Sequence, residues 1–187
     1  MTATSTEESN QRRLHWLAEH VIGWSGVPAV QIRPTVFLDN PFFTIMAARS
    51  IRENGQLALP FGVGRTSPVA AADVAAVVTT VLRAPQDHVG AVYELTGPAA
   101  LDINELAEQY GAALDRPVTA AQLSYDEWLE QLTEAGLDPH IQQHVATMAR
   151  LHREDRYNRM THDVENLTGH PAQSVQEYIR QRWELFT

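Results

Sequence analysis

The chain has 187 residues, 44% of them apolar and 20% charged, with a formal net charge of −9 and no cysteine. That length suits a single domain with an ordinary core, and the absence of cysteine excludes disulfides, thiolate metal ligands and cysteine nucleophiles. The acidic balance argues against nucleic acid or an anionic membrane as partner, because both need a basic face. No apolar run reaches the ~18 residues of a membrane span. The first ten residues are polar, include Glu7 and Glu8, and lack the basic start and apolar core of a secretory signal, which reads as a cytoplasmic protein.

The first predicted helix starts near Thr6 or Ser9, and Leu14, Leu17, Ala18, Val21 and Ile22 form one apolar stripe along it. Ser25-Gly26 ends this helix, and Ala29 to Ile32 is a short β-type run closed by Arg33-Pro34. Pro41 opens a second helical stretch through Ile51; Asn54-Gly55 is a turn, and Gln56 to Pro60 a strand. Ala71 to Leu82 reads as a buried helix, and Gly90 to Pro98 as a strand punctuated by glycine. Beyond it, helix starts repeat: Asp102, Ser124 and Ser174 each precede a glutamate by three residues, the capping-box spacing. Asp138-Pro139 gives a cap followed by a first-turn proline. Between Arg116 and Leu123 one further edge strand is expected. The basic clusters at Arg12-Arg13 and from Arg150 to Arg159 read as solvated helix faces, the second being interleaved with Glu154 and Asp155.

Several segments together resemble the NmrA-like family, atypical relatives of the short-chain dehydrogenases/reductases that bind NAD(P). They are Ser25-Gly26-Val27-Pro28 leading into Arg33 to Asn40, Pro68-Val69 through Asp73-Val74-Ala75, Tyr93 to Pro98 with Leu101, and Thr161 to Pro171. Their order along nearly the whole chain carries the resemblance. It implies an α/β chain: a partial Rossmann-type fold, the C-terminal half of a parallel sheet, with a mostly helical substrate subdomain. Residues 1–98 would be the C-terminal part of the NAD(P)-binding domain and residues 99–187 the substrate side, together one NmrA-like unit. No G-x-G-x-x-G phosphate turn occurs; Gly62-Val63-Gly64 is followed by Ser67 and reads as a bend.

By resemblance, the first helix would carry the superfamily's Tyr and Lys. Aligning Glu19 with the family's glutamate puts Gln11 at the Tyr position and His15 at the Lys position. Gln is no general acid near neutral pH. His15 is the catalytic candidate, able to bond a ribose or move a proton; the alternative is an i,i+4 surface pair with Glu19. Pro34, Thr35 and Phe37 are the candidate nicotinamide contacts at a strand's carboxyl end. Asn40 and Phe43 are candidate substrate contacts, with core packing of Phe37, Phe42 and Phe43 as the alternative. NAD or NADP is the implied cofactor, and a small apolar or quinone-like molecule the implied substrate. A non-catalytic, redox-sensing regulatory or interaction module is the other reading.

No metal site is expected. His140 and His144 supply half a zinc site without an H-E-x-x-H, and their helix reads as packed through Ile141, Val145, Met148 and Leu151. No G-x-S-x-G elbow supports a hydrolase. One face of the first helix and the edge of its following strand are expected to be exposed, which implies a homodimer or a partner chain covering that edge.

Overall fold

The structure is a computed structural model that describes residues 9–134 and 136–187; Thr6, Glu7 and Glu8, and with them one candidate helix start, lie outside the described residues. Ser9 caps α1 (Asn10–Trp24), its Oγ accepting the Arg12 N–H at 3.4 Å. The chain turns at Gly26 with φ at 72° and enters β1 (Gln31–Pro34), two residues later than the apolar run suggests. The partner sets this shift: β1 lies parallel to β3 (Val92–Leu95), with Gln31 opposite Val92 and Pro34 opposite Leu95.

The second helical stretch begins as a π-helical turn (Phe42–Met46), with Met46 N–H reaching back to Pro41 C=O at 2.9 Å. It continues as α2 (Ala47–Asn54) and stops at Gly55, which holds φ at 67°. The wide turn sends both Phe42 and Phe43 into the core while Ile45 stays exposed. After β2 (Gln56–Leu59) and α3 (Ala71–Arg83) come β3, then α4 (Ile103–Leu114), β4 (Thr119–Gln122), α5 (Tyr125–Glu134), α6 (Pro139–Arg153), α7 (Asp163–Thr168) and α8 (Val175–Arg180). The expected strand after Arg116 is β4, and it runs parallel to β2 in a second two-stranded sheet that crosses residue 98. Both sides of the capping boxes at Asp102 and Ser174 are made, and Ser124 and Glu127 exchange the same pair of bonds.

The fold is therefore mixed α/β with short parallel sheets, and it has two cores. The smaller joins Val69, Val77, Val81 and Leu95 to Val164, with Ile32 and Phe37 against them. The larger gathers Phe43, Ile51, Leu57, Tyr110, Trp128 and Tyr178 among the helices. Leucine, isoleucine and aromatic side chains buried this completely are each worth about 1.5–3 kcal/mol against leaving them exposed. Helix α1 belongs to neither core. Its only buried residue is Arg12, and Leu14, Leu17 and Val21 are 60%, 46% and 52% exposed, the open face expected from the sequence.

A stack of rings fastens the 61–66 bend to α6. His152 lies between Phe61, centroids 3.9 Å apart, and Tyr157, 4.0 Å apart, with interplanar angles of 9° and 16°. Its Nδ1 is 2.8 Å from Met148 C=O, which assigns the proton to Nδ1 and leaves Nε2 as a buried acceptor with no partner among the described residues. The bend crosses so closely that a Cβ on Gly64 would sit 1.6 Å from the His152 carbonyl oxygen, whereas one on Gly23 of α1 meets nothing within 4 Å.

Gly64→Ala is therefore expected to destabilise the chain by more than ~2 kcal/mol through backbone displacement. Gly23→Ala should stabilise it by about 0.5–1 kcal/mol through helix propensity alone. Urea unfolding of both variants checks the contrast. Burial, with the Arg12 charge in support and the Met148 bond opposing, pulls the His152 pKa down to about 4. A depressed histidine pKa means the unfolded chain binds more protons. Stability is thus complete above the unfolded value near 6.5 and falls with pH towards 4, by about 3 kcal/mol in all. His152→Phe should flatten that acid slope between about pH 7 and pH 4.5; an unchanged slope would contradict the assignment.

Candidate functional site

The carboxyl end of β1 is where an open parallel sheet presents a ligand. There Thr35 N–H bonds Leu95 C=O at 2.8 Å, which continues the β1–β3 ladder by one residue. The Thr35 Oγ1 is buried and has no hydrogen-bond partner among the described residues. A buried hydroxyl is costly unless a polar partner, water included, meets it. Past it the backbone runs beside Val69: Val69 N–H bonds Val36 C=O at 3.0 Å, and Leu38 N–H bonds Val69 C=O at 2.9 Å. Phe37 is half-buried against the smaller core. Asn40 is half-buried too, and its Oδ1 accepts Phe42 N–H at 3.1 Å, bracing the π-helical turn. Phe43 points into the larger core, its ring centroid 5.7 Å from Phe61, and its carbonyl accepts the Tyr110 hydroxyl at 2.6 Å. Burial pushes the Tyr110 phenol far above its usual range, so it stays a neutral donor. Pro34, Thr35, Phe37 and Asn40 thus lie along one run, with Phe43 behind it.

Helix α1 reaches this region by its polar face. Arg33 Nε and Nη2 grip both oxygens of Glu19 at 3.2 and 2.7 Å. The Arg33 guanidinium also lies 3.8 Å from Glu94 of β3, which Arg159 approaches at 3.4 Å. Asp163 accepts the Glu94 N–H at 2.8 Å, and the Thr161 hydroxyl bonds the Glu94 carbonyl. At the other end of α1, Arg12 Nη1 donates to the Tyr157 hydroxyl at 3.0 Å, and Ser9 Oγ lies 2.9 Å from His144 Nδ1. Glu19 is therefore the partner of Arg33, and His15 stands exposed. Burial first, then the charges of Arg12, His15 and His140, hold the His144 pKa below its usual value. Among the described residues no three His, Asp or Glu side chains gather closely enough to hold a metal ion.

Sequence reading missed this network. Arg33 figured only as a strand terminator, although an arginine within a four-residue strand signals a carboxylate partner nearby. The Ser9–His144 and Arg12–Tyr157 contacts join residues 135 and 145 apart and leave no local signature.

Arg33→Met should cost about 2 kcal/mol by breaking a charge-assisted bidentate pair whose side chains are mostly buried. Arg33→Lys should recover part of it through a single contact. The loss should appear as faster hydrogen exchange in α1; equal exchange in parent and variant would contradict the assigned role.

No family model matches the chain. The NAD(P)H azoreductase of Xenophilus azovorans is 29% identical over 167 residues, which are 88% of this chain and 57% of that protein. The chain spans about half the length of the curated relatives it matches. Among solved structures, an NADPH-dependent quinone oxidoreductase from Escherichia coli in complex with NADPH superposes with a TM-score of 0.81 at 22% identity, over 95% of this chain and 62% of that one. NmrA, a negative transcriptional regulator in complex with NAD, superposes with a TM-score of 0.70 at 15% identity, over 89% and 56%. The chain thus has an NmrA-like fold, shared with these two solved structures over 62% and 56% of their lengths.

Proposed function

We propose that the chain is the substrate-side part of a cytoplasmic NAD(P)H-linked oxidoreductase acting on a small apolar or quinone-like molecule. The buried, unpartnered Thr35 hydroxyl at the carboxyl end of β1 carries this reading. Pro34, Thr35 and Phe37 would border the nicotinamide end of NAD or NADP, whose chemistry when bound is hydride transfer. Thr35 offers a hydroxyl to a polar edge, and Phe37 offers an apolar wall. Asn40 would border the substrate, with Phe43 as the packed wall behind it. His15 is the one titratable α1 candidate for binding a ribose or moving a proton. The sequence holds no G-x-G-x-x-G, so in this reading these residues would meet the reactive end of a dinucleotide and not its pyrophosphate. In this reading residues 1–98 contribute the cofactor side and residues 99–187 the helices of the substrate side.

The outward apolar face of α1, and the edge of β1 that pairs with no strand among the described residues, support a homodimer or a partner chain that covers them. The same face, together with Gln11 at the superfamily's tyrosine position, favours a second reading, a non-catalytic NmrA-like regulatory module that recognises a partner through α1.

Titration of the purified chain with NADH and NADPH, by ligand fluorescence and thermal shift together, separates the two readings. The oxidoreductase reading predicts saturable binding without discrimination between the two cofactors. It also predicts a loss of about threefold to tenfold in Thr35→Val, the weight of one hydrogen bond. Absence of binding up to about millimolar ligand, a Kd worth only ~4 kcal/mol, would overturn the cofactor contact and leave the regulatory module.

A further inference from the structure

A cavity of about 310 Å³ opens between the π-helical turn and α2 on one side and α8 with the last residues on the other. It lies at the small end of the ~300–1,000 Å³ range of small-molecule sites. Arg52, Arg182 and Asp39 line it together with Tyr178. Two guanidiniums against one carboxylate leave it positive by one charge, on a chain of net charge −9.

The carboxylate is already engaged. Asp39 Oδ1 accepts the Tyr178 hydroxyl at 3.1 Å, and Oδ2 accepts the Ala71 N–H at 2.8 Å. Arg182 meets Asp39 only at 3.7 Å, and its guanidinium carbon sits 4.0 Å from the centre of the Tyr178 ring. That guanidinium makes no hydrogen bond to the described residues, and Arg52 spends one N–H on Leu185 C=O at 2.6 Å. Each guanidinium carries five donors, so most of them remain unspent. Beside them Ile45 and Leu185 expose apolar surface, at 68% and 45% of their full area.

We propose that this cavity binds a small amphipathic carboxylate, its anion between Arg52 and Arg182 and its apolar body against Ile45 and Leu185. A guanidinium matches the planar, two-oxygen geometry of a carboxylate, and two of them line this one cavity. A phosphate dianion is disfavoured, because Asp39 repels a second negative charge and the Ile45 and Leu185 walls offer it no donor. A neutral apolar molecule leaves the arginine donors unmet. The site stands on residues separate from those bordering Thr35 and does not depend on the cofactor reading.

The test is an amide-resolved NMR titration of the whole chain with benzoate, alongside benzyl alcohol as the neutral shape match and inorganic phosphate as the bare anion. Benzoate should shift the amides of Thr44, Ile45, Ala48 and Leu185 saturably and bind at least about tenfold tighter than either comparator, the usual margin of a charge-assisted pair. Arg182→Gln should weaken benzoate about fivefold or more, a loss of the same origin. Arg52→Gln is the second variant in case the first perturbs α8. Absence of saturable benzoate shifts, equal binding of benzyl alcohol, tighter binding of phosphate, or unchanged binding in folded variants would each overturn the proposal.

Discussion

The bidentate grip of Arg33 on Glu19 is the contact on which the candidate site depends. It fixes α1 to β1 by the helix's polar face, and Glu94, Arg159 and Asp163 extend it to β3, the segment after α6 and α7. A helix held this way keeps its greasy stripe free. Leu14, Leu17 and Val21 face away from the body because Arg12 and Glu19, on the opposite side of the wheel, face towards it. Water against such a stripe is unfavourable by about 25 cal/mol per Å² of apolar surface. The chain therefore keeps a standing drive to bury α1 against something else.

The same network defines the end of β1. With β1 held between α1 and β3, the backbone leaves the sheet at Thr35, travels along Val69 and enters the π-helical turn at Phe42. The smaller core holds this exit from below through Ile32, Phe37 and Leu95, while the larger core anchors its far side through Phe42 and Phe43. The exit thus bridges the two cores. An unmet hydroxyl placed there sits on rigid backbone, as a ligand contact must to be worth its desolvation.

Much of this was legible in the sequence because it is local. Capping boxes at Asp102, Ser124 and Ser174, the Asp138-Pro139 start and the Gly55 stop each rest on spacings of one to three residues, and each forms. The apolar stripe of α1 followed from its 3.6-residue period, whereas its exposure was expected only from the resemblance to part of a larger sheet. Long-range pairing was not legible in the same way. Nothing near Thr119 announces a parallel partner at Gln56, and nothing near Ser9 announces His144. The two-residue shift of β1 has the same cause, since its ends are fixed by β3 some sixty residues on. Glu19 shows the limit most clearly: its spacing from His15 suggested a helical pair, but the stronger bidentate donor came from a strand fourteen residues away.

The most direct measurement is light scattering after size exclusion over a wide concentration range, on the parent chain and on a Leu14→Glu, Leu17→Lys, Val21→Glu variant. Self-association of the parent that vanishes in the variant, with the unfolding midpoint unchanged, is the outcome expected if α1 is held by its polar face with its apolar face uncovered. A parent that stays monomeric at every concentration, or a variant that loses stability because those side chains were buried all along, would contradict it.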